Sequence, residues 1–548
     1  MAAWAPAASR AGSWCTGAGP TSSTDLDVHH MRARTRVVVL HDAVEAVRGR
    51  WRPRIGLCVV SIITVAKVDE AISPITRSLG DADSSMKPFV PFLRAFAFSW
   101  AHMLLGTLLV VCASAAAHSI IDTAPYTTLT KTCPNGKLYH VAAPNSAPLD
   151  VVHVFGSAYE RGEAQGCLMS STILDFIDNY LPAYYRSEVY SIPISTLPQW
   201  LQDIIVPLLP YAADKAPVVF DLALSYVEET QRPFNEAGAN KLYDEMNGIA
   251  DGTCAQAAAH GRRCNATELA HTIKKTNMLP DLIRMQCSML GAWGSASTGG
   301  SLVQLRSLDA GSLGVNHSYL VVQHPEGDSR PFASLSFPGF VGVITGFSPA
   351  VALSEKVNDV AGGPKPVGSY EGRSTSFVIR DMVELSATKE AAHAIALSAS
   401  RTWGVWLGVG DFASQRMLVI EYSQAAAPAT DEYSTPNLTG QPMIDSVVYV
   451  DKHPQPSKDD LSMPTALQAL RASPGSIDAV AVAALGDQTH SGDVHIAVYD
   501  FNLVAPRVLL ALGTVDVNGT YSGPGGRYAW AAPYLRFDQK ALWAEPKP

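Results

Sequence analysis

Charge is scarce in this 548-residue chain: Asp, Glu, Lys and Arg make up 17%, against 47% hydrophobic residues. That leaves ample apolar material for a core and excludes disorder throughout. Basic residues are the scarcer sign, 41 against 50 acidic, for a net charge of −9. No broad basic field exists, so nucleic acid is not expected as a partner. Cysteine is sparse as well, and eight are too few for a disulfide scaffold. The chain has no G-x-S-x-G, H-E-x-x-H, C-x-x-C or G-x-x-x-x-G-K-[ST], and no internal repeat. Serine hydrolase, zinc protease and nucleotide hydrolase thereby lose their simplest evidence, and no metal or cofactor is expected. The length fits one large domain or two to three smaller ones.

One long stretch has no Asp, Glu, Lys or Arg at all. Residues 95–117 follow Met86, Lys87 and Arg94 and close on Ala113-Ser114-Ala115-Ala116-Ala117. A basic start, an apolar run and a small-residue end describe a secretory signal peptide over 86–117, cut near Ala117. The rival is a retained signal anchor, since 23 uncharged residues can span a bilayer core of about 30 Å. Residues 1–85 hold an Arg-rich patch (Arg32, Arg34, Arg36, Arg48, Arg50, Arg52, Arg54) and a short apolar run over 55–66. They are expected to be an unfolded or mis-assigned extension, or a cytosolic tail. Without residues 1–117 the balance is 29 basic against 42 acidic residues, a more acidic −13. Four sequons, at Asn265, Asn316, Asn437 and Asn518, agree with export.

The exported part keeps Cys133, Cys167, Cys254, Cys264 and Cys287. In an oxidising compartment four can pair and one is left over. Cys254 and Cys264 flank a short Gly/His/Arg-rich loop and suit one pair, which leaves Cys133 with Cys167 and Cys287 unpaired. From 118 to 286 the pattern reads as mainly helical. From 287 short β-branched runs alternate with turns, at 301–305, 319–323, 341–345, 417–422, 447–450, 494–499 and 508–512. Helical stretches intervene at 374–399 and 463–485, and 324–331 and 424–442 read as loops. The class is α+β, a layered sandwich.

Around the leftover cysteine the sequence reads Gln286-Cys287-Ser288-Met289-Leu290-Gly291, then Gly299-Gly300, then Arg306-Ser307-Leu308-Asp309. This predicts a hairpin in which Arg306 and Asp309 return beside Cys287. A nearby guanidinium lowers a thiol's ordinary pKa of about 8.5 and raises the thiolate share. A carboxylate can hold both the Arg and an ammonium. If the Gln286–Cys287 bond is cut, the new α-amine serves as general base and no His is needed. Taken alone, Arg306 and Asp309 are an ordinary ion pair.

Three patches carry a resemblance. They are Gly156-Ser157-Ala158-Tyr159-Glu160-Arg161-Gly162-Glu163-Ala164-Gln165-Gly166, then Glu245-Met246-Asn247-Gly248-Ile249-Ala250-Asp251-Gly252, then the Cys287 segment with Arg306-Ser307-Leu308-Asp309. Residues 337–354, 376–381 and 419–423 fit more loosely. Together they cover about 145–510. The sequence resembles an N-terminal nucleophile (Ntn) hydrolase of the isopenicillin N acyltransferase-like cysteine peptidase family, with acid ceramidase, bile salt hydrolases and phospholipase B-like proteins as more distant relatives. The resemblance implies a four-layer αββα sandwich and a precursor that cuts itself between Gln286 and Cys287. It would yield an α chain over 118–286 and a β chain over 287–548 that stay associated. The substrate implied is a small acylated amide or lipid-like molecule, hydrolysed or transferred at a non-peptide amide. Cys287 carries over as nucleophile, with Arg306 and Asp309 orienting and polarising. Two departures stand out. Ser307 replaces a usual Asn, and the stretch Val447-Val448-Tyr449-Val450-Asp451-Lys452-His453 lacks the Asn that the family uses as oxyanion donor, so Lys452 or a backbone N–H is the expected substitute. Two other readings follow: an acyl-ester hydrolase like phospholipase B, and a lumenal binding protein that keeps the fold and has lost the chemistry.

His453, His490 and His495 invite a Cys–His reading, but the C-G-x-C-[WY] context of papain-like enzymes is missing. His490 and His495, in Thr489-His490-Ser491-Gly492-Asp493-Val494-His495, suit structural or surface roles, as does Glu160. Trp403, Trp406, Phe337 and Phe340 are more often core than acyl pocket.

Overall fold

The computed structural model describes residues 119–548, apart from 237–241, 284–285, 312–313, 328, 358–369, 403, 431–443, 452–462, 472, 474 and 517–518. The expected signal segment, the N-terminal extension, Asn437, Asn518, Trp403, Lys452 and His453 lie outside the described residues.

Four strands open the described residues: β1 (Ile120–Asp122), β2 (Thr127–Cys133), β3 (Gly136–Val141) and β4 (Leu149–Gly156). This corrects the helical expectation for the start of 118–286. β2 and β3 turn on Pro134 and Asn135: proline holds a negative φ, and Asn135 takes the left-handed φ of +59° that closes the turn. β4 is buried on almost every residue, so it lacks the alternation that marks a half-buried strand. The helices α1 (Ala158–Asp175), α2 (Ala212–Glu236), α3 (Leu242–Ala259) and α4 (Ala266–Thr276) follow, as expected, with shorter helical turns between them.

The remainder alternates more densely. It contains β5 (Gln286–Ala292), β6 (Val303–Asp309), β7 (Tyr319–Pro325), β8 (Phe332–Ser336), β9 (Thr345–Phe347) and β10 (Val351–Val357). Then come α5 (Thr375–Leu385), α6 (Lys389–Ser398), β11 (Val405–Asp411), β12 (Arg416–Tyr422), β13 (Ala429–Thr430) and β14 (Val447–Val450). Last are α7 (Met463–Arg471), α8 (Ala479–Gln488), β15 (His495–Asp500), β16 (Arg507–Leu512) and β17 (Tyr534–Asp538). The strand expected over 341–345 is present only at Thr345. The Val341 carbonyl accepts from Arg380 Nη1 (2.8 Å) and its N–H donates to Asn277 Oδ1 (2.9 Å), so side chains satisfy the backbone there in place of a strand partner. The expected helices divide where caps intervene, Thr388 capping α6 and Asp478 capping α8.

Among the described residues the strands form two mixed sheets. One runs β1-β17-β16-β15-β6-β5-β14 and the other β13-β12-β11-β10-β9-β8-β7-β4-β3-β2. Both take strands from either side of residue 287. One core cluster joins the sheets, with Met289, Tyr499 and Leu510 of the first packed with Leu320, Trp406 and Met417 of the second. A second cluster places Leu467, Val482 and Leu485 of α7 and α8 against Leu290, Leu305 and Ile496 of the first sheet. A third places Val378, Met382 and Ala392 of α5 and α6 against Leu353, Leu407 and Ile420 of the second.

The glycines of the first two motif patches are explained by a close helix crossing. A Cβ at Gly162 would sit 2.0 Å from the Glu245 carbonyl oxygen, and one at Gly248 would sit 2.2 Å from the Tyr159 carbonyl oxygen. Gly166 and Gly252 are equally tight, so α1 and α3 pack backbone to backbone. Glu160 is structural, as expected. With Ser157 it forms a capping box at the start of α1, its carboxylate accepting from the Ser157 N–H at 2.8 Å. The buried Glu245 carboxylate takes both Arg380 Nη2 (2.6 Å) and Arg161 Nη2 (3.4 Å), joining α1, α3 and α5.

Candidate active site

Cys287 lies in β5, fully buried and unpaired. Among the described residues the other four cysteines form Cys133–Cys167 and Cys254–Cys264, as expected. β5 and β6 pair antiparallel with Gln286 opposite Asp309, Cys287 opposite Leu308 and Met289 opposite Arg306. The expected hairpin is present, and strand alternation decides what it brings together. Cys287, Met289, Arg306 and Leu308 share the face toward the second sheet, while Ser288, Ser307 and Asp309 share the other.

Arg306 therefore reaches the thiol's side and Asp309 does not. The carboxylate that Arg306 shares with the thiol is Glu355, from β10 of the facing sheet. Cys287 Sγ donates toward Glu355 Oε2 at 3.9 Å, and Arg306 Nη2 donates to the same oxygen at 3.2 Å. Arg306 Nε also donates to the Ile344 carbonyl at 3.2 Å. Asp309 is held elsewhere, its carboxylate accepting from the Gly492 N–H (2.9 Å) and the Ser491 hydroxyl (3.0 Å). The expected pairing of Arg306 with Asp309 over the thiol is corrected accordingly: three residues along a strand reverse the face, and a buried guanidinium takes the carboxylate on its own side.

Electrostatics bring a second correction. Burial pushes the Cys287 thiol up to about 12, Arg306 pulls it back, and Glu355 adds to the rise. In the uncut chain the expected thiolate is suppressed. Burial also holds Glu355 above the ordinary carboxylate range, with Arg306 and the neighbouring Lys356 opposing it. A thiol facing a basic carboxylate that is clamped by a guanidinium is an arrangement for moving a proton from sulfur to oxygen as the sulfur attacks.

Gln286 is exposed and borders an open cleft of about 250 Å3 lined also by Tyr184, Glu188, Asp309 and Asp493. Gln286 thus faces solvent on one side of the junction while the Cys287 thiol is enclosed. Asp493 takes the backbone N–H groups of Ala310 (2.9 Å) and Gly311 (3.0 Å), so Asp309 and Asp493 each cap the other's loop. Burial pushes Asp493 up to about 7, and the charge of Asp309 adds to the rise.

Ser307 Oγ accepts from the Ser288 N–H at 3.1 Å. Asp451 follows β14 where an Asn was looked for, and its carboxylate accepts from Ser288 Oγ (3.5 Å) and the Met463 N–H (3.1 Å). His490 stacks on Trp530 with ring centroids 4.4 Å apart, and buried His495 meets Thr345 Oγ1 at 2.9 Å, both structural as expected. Trp406 is core. Phe337 and Phe340 line a small apolar cavity of about 30 Å3 with Phe176, Leu279 and Ile344. Asn265 and Asn316 are exposed, Asn265 capping α4. Sequence reasoning missed Glu355 and Ser491. Glu355 had a signal, a Ser-Glu-Lys run inside the otherwise apolar Val351–Val357, which marks a buried charge in need of a partner.

No protein-family model matches the chain. Among curated proteins it is similar to Protein dcd1A of Dictyostelium discoideum, 29% identical over 426 residues, which covers 74% of this chain and 88% of that protein. It is also similar to Protein dcd1B of the same organism, 28% identical over 428 residues, which covers 76% of this chain and 78% of that protein. Among solved structures a Caenorhabditis elegans N-acylethanolamine-hydrolyzing acid amidase ortholog is 18% identical, covering 39% of this chain and 93% of that one, at a TM-score of 0.30.

Proposed function

We propose that the chain is a cysteine Ntn amidohydrolase or acyltransferase that cuts itself between Gln286 and Cys287 and then acts on the non-peptide amide of a small acylated or lipid-like substrate. The observation that carries the reading is the shared carboxylate: Cys287 Sγ and Arg306 Nη2 meet on Glu355 Oε2. Glu355 takes the thiol proton as sulfur bonds to the Gln286 carbonyl carbon. The C–N bond then breaks as Glu355 passes that proton to the nitrogen, which leaves as the new α-amine. Water cleaves the thioester, returning the thiol and freeing the Gln286 carboxylate. In the mature enzyme the α-amine is the base for the same sequence on an acyl amide, with water or an amine as acceptor. The packing of helices outside each sheet supports a four-layer αββα reading, and 118–286 and 287–548 become the two chains. Two disulfides, with the signal peptide expected over 86–117, support a secreted or lumenal site of action.

Reducing gel electrophoresis with N-terminal sequencing of the secreted protein tests this. The expected result is a fragment starting at Cys287, absent from Cys287→Ala. Both disulfides lie within 118–286, so the fragments should also part without reductant. An active protein of one intact chain would overturn the reading. A binding protein of the same fold is favoured by the aspartate at 451, which has no N–H to offer an oxyanion. A thiol-directed acyl analogue labels the enzyme at Cys287 and leaves such a binding protein unlabelled.

A further inference from the structure

The two departures from the resembled family, Ser307 and Asp451, belong to one buried network on the helix-facing side of β5. Ser491 is its hub. Its hydroxyl lies 2.6 Å from Ser307 Oγ, 2.8 Å from Ser288 Oγ and 3.0 Å from Asp309 Oδ2. Ser288 Oγ continues to Asp451 Oδ1 at 3.5 Å, and Ser307 Oγ also holds the backbone N–H of Ser288 at 3.1 Å. Ser288, Ser307 and Ser491 are completely buried. Each hydroxyl has one proton to donate and can also accept, so the three form a continuous polar cluster that reaches Asp309 on one side and Asp451 on the other, with one donated bond per hydroxyl at a time.

The backbone is bent to place this hub. Ser491 lies between His490 at φ +45° and Gly492 at φ +99°. A left-handed non-glycine residue costs energy and persists where its surroundings hold it. Here Trp530 stacks on His490, and the Gly492 N–H joins Ser491 in holding Asp309. A Cβ at Gly492 would lie 2.3 Å from the Ile496 side chain and 3.2 Å from Ser307 Cβ, so the loop presses directly on β6 and β15.

We propose that Ser491 is a positioning residue for self-cleavage. Through Ser288 and Ser307 it ties the strand that carries the nucleophile to Asp309, with Asp451 as the far anchor. The inference rests on the proposed cleavage before Cys287. Asp309, opposite Gln286, is the carboxylate nearest in register to the amine that the cut creates. Its place relative to Cys287 is set by a side-chain network and not by the backbone ladder alone. Ser307 and Asp451 are then two members of one substitute arrangement.

The test compares Ser491→Ala, Ser491→Thr and Ser288→Ala with the full-length wild type, following the appearance of the Cys287 N-terminus over time and the thermal midpoint of each uncut precursor. Hydrogen bonds to charged groups of this kind correspond to rate losses of about ten- to a hundredfold. Ser491→Ala and Ser288→Ala should each slow cleavage by that factor, and Ser491→Thr, which keeps the hydroxyl, should recover most of the rate. Cleavage by Ser491→Ala at the wild-type rate overturns the inference and leaves the self-cleavage reading standing. Equal slowing in the Ala and Thr variants overturns it too, since packing alone then explains the effect. If Ser491→Ala does not fold, Ser288→Ala decides by the same criterion. A wild type that never cuts before Cys287 overturns both readings.

Discussion

At the scale of single residues the site depends on which carboxylate meets the thiol. Glu355 is buried, faces Cys287 Sγ at 3.9 Å and is held by Arg306 at 3.2 Å. Replacing it by Gln preserves the volume and an acceptor for Arg306 but removes the base. Self-cleavage of Glu355→Gln should fall at least about a hundredfold, the usual scale of general-base loss, while the variant still folds. Timed gel analysis of purified precursor measures this, and an undiminished rate would assign the thiol proton to another group. Cys287 with Arg306 beside it was legible in the sequence because a lone cysteine and a hairpin converge there, whereas Asp309, expected at the thiol, lies on the other face of its strand. Glu355 was not legible, because its partner lies on a strand of the other sheet and no sequence spacing encodes contact between sheets.

At the scale of elements the glycines of α1 and α3 matter most. The motif Gly-Ile-Ala-x-Gly suggested kinship, and the crossing gives its physical cause: two helix backbones touch where no side chain fits. Gly248→Ala should destabilise the protein by about 3 kcal/mol, at the upper end of overpacking costs. Urea unfolding monitored by circular dichroism reads this, and a loss under about 0.5 kcal/mol would mean that the helices can part to admit a methyl. The opening strands show the converse case. β4 is buried on both faces, and its near-continuous apolar run carries no period by which to tell strand from helix.

At the scale of the whole molecule, two sheets that each draw strands from both sides of residue 287 would keep the fragments together after a cut. Acid conditions should favour the folded form through Asp493. An unfolded aspartate titrates near 3.9. Asp493 is pushed up to about 7, so the folded state binds its proton more tightly than the unfolded state does. The stability from this group is fully present below about pH 4 and is lost as pH rises through 7. Wild type should therefore lose more stability between pH 5 and pH 8 than Asp493→Asn, as read from urea midpoints at the two pH values. Equal losses would show that Asp493 titrates alike in both states.

By itself the sequence determined the α+β class, the acidic balance, both disulfides, the unpaired Cys287 and the hairpin that returns Arg306 beside it. These follow from local pattern, counting and strand pairing between neighbours in the chain. Only the tertiary structure decided that Asp309 turns away from the thiol, that Glu355 comes to it, that burial holds the thiol protonated, and that Ser307 and Ser491 meet behind it and reach Asp451 through Ser288. Each of these depends on which face of a strand meets which neighbour, and on how little water remains between them.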